Sequence, residues 1–451
     1  MGVNKDLETM LGDPRKAMFA MAAPLVVSYL IIELNTFLDL SWCSGLGAAC
    51  TSAVASVSPL MWIASGLGTG LGVGASAAIA AKLSLGDNRK SNSLAVQTLV
   101  IAVVLALVAT VILLLLIDPV VDMMGVTDIR RECHEYIAPM ILGSVCIVLN
   151  GTVAGLLRAE GAAKKSTYVL ITAAVVHMAL DPVLIYGLDM GLTGAAVATV
   201  VGMGTGAALG LSWYVRGKMV IQLSFRGYRP NREEIMYVLA VGIPRAFEIF
   251  IVAVMSMIQR IFVVECGGTE AAMFYNLPWN FVTLAQSVSM SLGSALIPIS
   301  AAAIAMGLTG KARDAYRIAM HTSLVIMIAI AAVVFVFADI FVFPFTYSEG
   351  MAEFRPEFVH VMRIYMLLAP CMGVIDVSSS MLQSMRMAQR SMLCSFVRNA
   401  LIVVALMWAC TVSLDAIYWS LTVCEYIGAI LMAALASLGI RKVCGPKRAA
   451  Q

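Results

Sequence analysis

A histidine and an aspartate stand four residues apart within HMALDPVLIYG, a stretch that begins at His177 inside a long apolar run. On a helix, residues four apart share a face, so Asp181 can hydrogen-bond the imidazole of His177 and favour its protonated form. Such a pair can hold or pass a proton, or it can simply tie two helices together. The spacing is also that of an HxxxD acyltransferase motif, but the sequence downstream offers no site for an acyl carrier or a nucleotide.

Few other ionisable side chains lie within the apolar runs. A charge deep in a membrane-spanning helix costs at least about 2.5 kcal/mol, so each of them is a candidate functional residue. They are Glu33, Asp39, Arg245, Glu248, Arg260, Asp376, Arg398 and Glu425. Glu33 is a candidate for a substrate cavity. Glu248, Asp376 and Arg398 can either line such a cavity or pair with one another.

Helices that cross a membrane must position these residues, because the composition excludes a soluble protein. Of 451 residues, 61% are hydrophobic and 13% are charged, and the mean hydropathy is +0.91. A helix needs about 20 apolar residues to cross the hydrocarbon core of a bilayer. We predict an all-α integral membrane protein with twelve such helices, near residues 17–41, 52–81, 93–117, 134–157, 166–187, 191–215, 235–263, 270–305, 315–340, 357–384, 391–413 and 416–439.

The basic residues predict how these helices are oriented. The positive-inside rule places short loops rich in Lys and Arg in the cytoplasm. Of the 30 Lys and Arg residues, 23 fall in the termini and alternate loops on one side, and four fall on the other. We therefore predict a multi-pass protein of the plasma membrane with both termini in the cytoplasm. The distribution offers no surface for nucleic acid.

The two halves of the chain repeat each other. Shifting the sequence by 220 residues aligns APLVVSYL, which contains Pro24, with IPRAFEIF, which contains Pro244. The repeat predicts two pseudo-symmetric six-helix lobes in parallel orientation, an architecture of secondary transporters. The predicted divisions are a cytoplasmic N-terminal segment 1–16, an N-lobe 17–215, a cytoplasmic linker 216–234, a C-lobe 235–440 and a cytoplasmic tail 441–451.

The second apolar run contains GLGTGLGVGA, which lacks the Lys-Ser/Thr pair of a phosphate-binding loop. Its glycines have the spacing that lets membrane helices approach closely. They form two stripes, one of Gly66, Gly70 and Gly74 and the other of Gly68 and Gly72. Because no nucleotide site is recognisable in the sequence, transport would be driven by an ion gradient.

Three further features predict packing or flexibility. The ten cysteines are scattered without a CxxC pair and are predicted to be small packing residues. The 30 methionines either pack between helices or line a cavity that adapts to several ligands. Pro24 removes one helix hydrogen bond in the first span and predicts a kink. A change in this kink would move Glu33 and Asp39, which lie beyond it on the same helix.

Residues 156–201, LLRAEGAAKKSTYVLITAAVVHMALDPVLIYGLDMGLTGAAVATVV, resemble the signature of the multidrug and toxic compound extrusion (MATE) family. The segments DPRKAMFAMAAPLVVSYL and LSLGDNRK and the repeat of six helices extend the resemblance over residues 13–440. The pattern is most similar to the prokaryotic DinF-like type within the MOP flippase superfamily.

The resemblance implies an antiporter that alternates between inward-open and outward-open states and exports organic, often cationic or amphipathic, compounds in exchange for H⁺ or Na⁺. It implies a gating role for Pro24 and an N-lobe cation or proton site formed by Asp39, Asp181, Thr199 and Asn150. Asp39 and Asp181 would be the ligands if the ion were Na⁺. No cofactor beyond the coupling ion is implied, and we expect a monomer in the lipid bilayer.

One position departs from the family pattern. The asparagine that usually precedes the Asp-Pro pair is replaced by His177. An imidazole titrates near neutrality and is a poor ligand for Na⁺, so the replacement favours H⁺ as the coupling ion. A flippase for lipid-linked or polysaccharide precursors is an alternative within the same superfamily, although only three arginines lie within the apolar runs to bind a pyrophosphate.

Overall fold

We describe a computed structural model, which covers residues 2–226, 228–347 and 349–444. Across these residues the chain is almost entirely helical and contains no strand. Eleven helical segments are long and apolar enough to cross a membrane, and a bent pair, Thr127–Leu142 and Ser144–Ala159, supplies a twelfth span. The predicted all-α fold with twelve spans is confirmed. Residues 445–451 of the predicted tail lie outside the described residues.

Helices α1 to α8 form the N-terminal segment and the N-lobe. Their bounds are α1 Gly2–Leu11, α2 Pro14–Ser44, α3 Ala48–Leu83, α4 Asn88–Met123, α5 Arg130–Leu142, α6 Ser144–Ala159, α7 Ala163–Pro182 and α8 Gly191–Val215. The carboxylate of Asp13 accepts a hydrogen bond from the backbone N–H of Lys16 at 3.0 Å and starts α2, with Pro14 in the first turn. α2 continues as one helix through Pro24.

Helices α9 to α16 form the C-lobe. Their bounds are α9 Arg232–Ala305, α10 Thr309–Val336, α11 Ala338–Val342, α12 Glu349–Ala352, α13 Arg355–Met366, α14 Leu368–Ser384, α15 Ala388–Ala409 and α16 Leu414–Cys444. α9 carries two spans, α9a (Arg232–Gly268) and α9b (Phe274–Ala305). They are separated at Gly268, whose φ of 70° and ψ of −169° are open to glycine without a steric penalty.

Because consecutive spans alternate in direction, the bundle has two faces. We name one the basic face, because it holds most of the Lys and Arg of the loops. It carries the start of α2, the loops after α3 and α6, and the linker, residues 216–231, between α8 and α9. The other, named the opposite face, carries the ends of α2, α7 and α9a.

The two glycine stripes of α3 serve two different interfaces. A Cβ atom at Gly72 would lie 2.5 Å from the carbonyl oxygen of Gly151, so this stripe packs α3 against α6 inside the N-lobe. A Cβ atom at Gly70 would lie 2.9 Å from the backbone nitrogen of Ala246, so the other stripe packs α3 against α9a of the C-lobe. The close packing predicted from the spacing is confirmed.

The linker is fixed to the N-lobe by Glu160, which follows the last residue of α6. Its carboxylate accepts hydrogen bonds from the backbone N–H groups of Val220 at 2.7 Å and Ile221 at 3.3 Å. Burial raises the pKa of the Glu160 carboxyl to about 7, although these hydrogen bonds lower it in part. The chain between the lobes is therefore attached to the first lobe rather than free.

Candidate functional site

His177 and Asp181 lie together in the N-lobe with the aspartate of α2. The His177 Nε2 atom lies 3.2 Å from a carboxylate oxygen of Asp181 and 3.9 Å from one of Asp39. The same nitrogen is 3.0 Å from the hydroxyl of Thr199 on α8. Three helices thus bring three of the predicted coupling residues, Asp39, Asp181 and Thr199, to the imidazole of a fourth, His177.

The backbone is irregular at the end of α7, directly after Asp181. Pro182 has no N–H to donate to the turn before it, and a π-helical turn, Val183–Gly187, follows it. Such turns occur frequently at functional sites. On the other side of the imidazole, a Cβ atom at Gly202 would lie 3.0 Å from that of His177, so α8 approaches α7 at this level only because Gly202 has no side chain.

The structure adds a residue that the sequence analysis missed. The side-chain nitrogen of Asn35 lies 2.9 Å from His177 Nδ1. Asn35 precedes Asp39 by one helical turn, and its place on the same face of α2 was the available signal. The hydroxyl of Tyr136 on α5 donates to Asp39 at 3.5 Å and completes the surroundings of that carboxylate.

The hydrogen bonds show that this cluster is short of donors. The side-chain amide of Asn35 and the hydroxyl of Thr199 meet the two ring nitrogens of His177. The amide oxygen of Asn35 and both carboxylate oxygens of Asp181 are buried and accept no well-aligned hydrogen bond, although His177 Nε2 lies 3.2 Å from one of the Asp181 oxygens. Leaving such groups unpaired costs roughly 1–3 kcal/mol each. A bound proton or cation would offset this cost.

The donor atoms fit either coupling ion. One ligand atom each from Asp39, His177 and Asp181 lies within 4.8 Å of the others. The oxygens of the two carboxylates, with those of Asn35 and Thr199, are donors of the kind that hard cations prefer. The imidazole nitrogen between them is instead a group that can bind a proton.

A cavity of about 390 Å³ adjoins this cluster in the half of the bundle toward the opposite face. Asp39, His177 and Thr199 form part of its wall, and Arg260 of α9a lies on the C-lobe side. Five methionines line it, namely Met61, Met124, Met140, Met203 and Met257. Flexible thioethers can adapt to ligands of different shape. These five methionines therefore line a cavity, the second of the two roles considered in the sequence analysis, rather than only packing between helices.

At the basic face the two lobes are in contact. The hydroxyl of Tyr29 on α2 lies 3.1 Å from that of Ser294 on α9b. The hydroxyl of Ser84, just after α3, donates to the carbonyl of Ala302 at 3.3 Å. With the Gly70 stripe, these contacts separate the cavity from the basic face.

Two of the predicted N-lobe residues lie away from the cluster. Asn150 is buried and donates to the backbone carbonyl of Met203 at 3.1 Å, so it supports α8 rather than the imidazole directly. Glu33 is half-buried on α2 and does not belong to the described lining of the cavity. Pro24 lies closer to the basic face than either of them.

The C-lobe charges pair differently from the prediction that Glu248, Asp376 and Arg398 bind one another. Arg245 donates to Glu248 at 2.9 Å because the two are three residues apart on α9a. Arg398 instead lies 3.3 Å from Glu425, across the interface of α15 and α16. Asp376 accepts hydrogen bonds from side chains of α9b, those of Ser289 at 2.6 Å and Gln286 at 3.3 Å. Of the two readings that the sequence left open, pairing among these three residues is not the arrangement found, because packing decides which helix faces meet.

Glu248 and Asp376 do line a cavity, as the alternative reading proposed. It is a small one, of about 50 Å³, between the lobes. Arg245 lines it from the C-lobe, and Tyr29 and Arg158 line it from the N-lobe. Arg398 is absent from the described walls of both cavities.

Two cysteines correct the prediction that all ten are packing residues. Cys266 of α9a and Cys410, just after α15, form a disulfide at the opposite face, although 144 residues separate them in the chain. Among the cysteines whose side chains the structure describes, the other seven are free, and most of these are buried. A pairing between distant helix ends leaves no spacing signal in the sequence.

Two lobes of membrane-spanning helices, the cluster of Asp39, His177 and Asp181, and an adjoining cavity are the features of a multi-pass membrane transporter. The chain belongs to the MatE family, whose sequence model matches residues 24–183 and 244–409. The fold is that of MATE transporters of the MOP superfamily.

Known proteins with a similar sequence or fold support the same assignment. The multidrug export protein MepA of Staphylococcus aureus (strain NCTC 8325 / PS 47) is 22% identical over 418 residues, 92% of each chain. An outward-facing structure of a multidrug resistance MATE family transporter matches with a TM-score of 0.92, at 23% identity over 98% of this chain and 99% of that chain. A MOP superfamily transporter from Pyrococcus furiosus, described as having a binding pocket of reversed polarity, matches with a TM-score of 0.93, at 23% identity over 98% of this chain and 100% of that chain.

Proposed function

We propose that this protein exports cationic or amphipathic organic compounds across the plasma membrane in exchange for protons. Multidrug export is the activity named for the MepA relatives, and membership of the MatE family supports a transporter rather than an enzyme. The observation that carries the choice of the proton is the imidazole of His177, held 3.2 Å from one carboxylate and 3.9 Å from another. The cluster shares a wall with the cavity of about 390 Å³, so ion and substrate can compete there.

A proton suits this cluster better than Na⁺ because an imidazole occupies its centre. Both ring nitrogens of His177 have partners, Asn35 at 2.9 Å and Thr199 at 3.0 Å, so the ring stays between the carboxylates. Na⁺ would have to bind around a nitrogen that it does not prefer. Two carboxylates and a protonated imidazole carry a single net negative charge, and one further proton neutralises the cluster.

α2 connects the cluster to the contacts between the lobes. It carries Asp39 in its second half and Tyr29, which meets Ser294 of the C-lobe at 3.1 Å, nearer the basic face. Protonation of Asp39 weakens its attraction to the imidazole on α7, so α2 is free to shift. Pro24, where one backbone hydrogen bond is missing, is a position at which such a helix bends. The same movement would reshape the cavity and loosen the contact at the basic face.

We propose further that the basic face is cytoplasmic, in accordance with the positive-inside rule. The cavity beside Asp39 then lies toward the outside. The contacts of Tyr29, Ser84 and Gly70 with the C-lobe close the cytoplasmic side. In an export cycle this is the state that releases the substrate and accepts protons. We expect the monomer to be the transporting unit, because the two lobes that line the cavity beside Asp39 belong to the same chain.

Efflux from proteoliposomes under imposed gradients tests this function. Liposomes loaded with tetraphenylphosphonium receive an inward gradient of either H⁺ or Na⁺. We expect a pH gradient to drive efflux without Na⁺, and a Na⁺ gradient at equal pH to drive none. Asp39→Asn should abolish efflux, whereas Glu33→Gln, on the same helix but outside the cavity lining, should retain it. Efflux driven by Na⁺ alone, or normal efflux by Asp39→Asn, would contradict the proposal.

A flippase for lipid-linked or polysaccharide precursors is the second candidate. Arg158 and Arg245 meet in the small cavity between the lobes, and guanidinium groups bind phosphates well. Glu248 and Asp376 line the same cavity and would repel an anionic headgroup, so we rank this function below drug export. Translocation of a lipid-linked pyrophosphate in the same liposomes, with loss in Arg158→Gln, would favour it.

An acyltransferase that uses the HxxxD spacing is the least supported function. The side chain of His177 is only 6% exposed, and both ring nitrogens already have partners. A general base must reach the proton it removes from a substrate. Acyl transfer by the purified protein, lost in His177→Ala, would be needed to revive this reading.

A further inference from the structure

A third cavity, unconnected with the ion cluster, lies at the basic face between the start of α4 and the linker. Its volume is about 770 Å³. Four arginines line it, Arg89 on α4, Arg226 and Arg229 on the linker, and Arg232 at the start of α9a. All four side chains are exposed. We name this cavity the arginine groove.

The arginine groove carries a concentrated positive charge. Among the described residues, none of its four arginines forms an ion pair with a carboxylate. The carboxylate of Glu234, close to the groove, accepts a hydrogen bond from the lining residue Ser93. Four guanidinium groups around one concave surface attract anions and raise their local concentration.

The backbone that carries the arginines is held in place by polar contacts with α4. Gln97 of α4, only 2% exposed, donates to the carbonyl of Arg229 at 2.9 Å and accepts from the hydroxyl of Tyr228 at 2.8 Å. The side-chain oxygen of Asn92 accepts from the backbone N–H of Gln222 at 3.0 Å. The groove is therefore a formed site rather than a chance meeting of flexible loop residues.

The chemistry of the groove suits phosphate groups. A guanidinium group can donate two parallel hydrogen bonds to a phosphate, which a single-point ammonium cannot. Four arginines match the charge of a ligand with at least two phosphates. The start of α9a does not itself supply the site, because the Asn231 side chain already accepts from the backbone N–H groups of Glu233 at 3.0 Å and Glu234 at 3.4 Å.

We propose that the arginine groove binds an anion with two or more phosphate groups, either the headgroup of an anionic lipid or a soluble polyphosphate. The groove lies where α4 begins, at the level at which lipid headgroups meet a spanning helix. The linker supplies two of the arginines and joins the two lobes, so a bound ligand would fasten the linker to α4. This site is separate from the proposed transport site and does not depend on it.

Binding to the purified protein tests the proposal with two probes. Pyrophosphate is titrated against the protein in nanodiscs of phosphatidylcholine, and cardiolipin retention is measured by native mass spectrometry after purification from mixed lipid. The test variant is Arg226→Gln with Arg229→Gln. The control is Arg390→Gln with Arg441→Gln, which removes the same charge from exposed arginines at the same face but outside the groove.

We expect the test variant to bind the probe about 100-fold more weakly, because each hydrogen-bonded charge contributes about tenfold. The control should change binding less than about threefold, the effect of net charge alone. Binding of cardiolipin only would identify a lipid ligand, and binding of pyrophosphate only would identify a soluble one. Equal weakening in both variants, or no binding of either probe by the wild type, would overturn the proposal. Equal melting temperatures of the two variants establish that both are folded.

Discussion

The contact between α3 and α9a predicts that adding one methyl group at Gly70 opens the closed side of the transporter. A Cβ atom there would overlap the carbonyl of Gly242 and lie 2.9 Å from the backbone nitrogen of Ala246. Both neighbours are backbone atoms, so neither can rotate out of the way. Overpacking of this kind costs roughly 1–3 kcal/mol. The cost falls only on the state in which the lobes touch at the basic face.

A shift of that size changes the ratio of the two states by about 5- to 150-fold. Gly72→Ala is the matched control, because it is on the same helix and its Cβ would lie 2.5 Å from the carbonyl oxygen of Gly151. That contact lies inside the N-lobe and is present whichever way the lobes are arranged. Both substitutions gain the same helix propensity of about 1 kcal/mol, so only the interface differs.

Spin labels on either side of the interface measure the effect. Leu85, after α3, and Leu308, after α9b, are both exposed at the basic face, at 56% and 42%. The labels are attached through the substitutions Leu85→Cys and Leu308→Cys in a background without the free cysteines, and pulsed electron resonance gives the distribution of distances between the lobes. Gly70→Ala should enrich the longer distances, and Gly72→Ala should lower thermal stability without changing the distribution. Identical distributions for Gly70→Ala and the wild type would refute the reasoning.

Three other substitutions test separate parts of the structure. Arg260→Gln removes a positive charge from the cavity that Asp39 lines and should strengthen tetraphenylphosphonium binding about 3- to 10-fold in a fluorescence competition assay; weaker or unchanged binding would exclude a repulsive role. Asn35→Ala removes the partner of His177 Nδ1 and should cost roughly 1–3 kcal/mol of stability in thermal unfolding, so an unchanged melting temperature would contradict the hydrogen bond. For Glu160, the raised pKa of about 7 means that the stability it contributes is complete below its unfolded pKa and is lost as pH rises through 7. The melting temperature should therefore fall from about pH 5 to pH 8, and this fall should be smaller in Glu160→Gln.

Local pattern was enough to predict the parts of the molecule that depend on neighbouring residues in the chain. The twelve spans follow from the apolar runs, and the meeting of His177 with Asp181 follows from their spacing on one helix. The two stripes of α3 also follow from spacing, since Gly70 and Gly72 must lie on different faces. Which partner each stripe contacts was not predictable, because the sequence does not state how helices are arranged around α3.

The parts that depend on distant contacts were missed or mispredicted. Asn35 joins the cluster only because α2 crosses α7 at that level. Arg398 pairs with Glu425 rather than Glu248 because α15 turns that face toward α16. The disulfide of Cys266 and Cys410 joins helix ends that are close only in the folded lobe. In each case tertiary packing, and not local periodicity, sets the partner.

The proposed binding of a proton at His177 is tested most directly without any substrate. Trp62 lines the same cavity as Asp39 and His177. Its fluorescence therefore reports the state of that cavity wall once the other tryptophans are replaced by phenylalanine. In purified protein we expect Trp62 emission to change with pH in the absence of Na⁺, and to be insensitive to NaCl when choline chloride keeps ionic strength constant. Asp39→Asn should remove the pH response. A response to Na⁺ at fixed pH, with none to pH alone, would contradict proton coupling at this cluster.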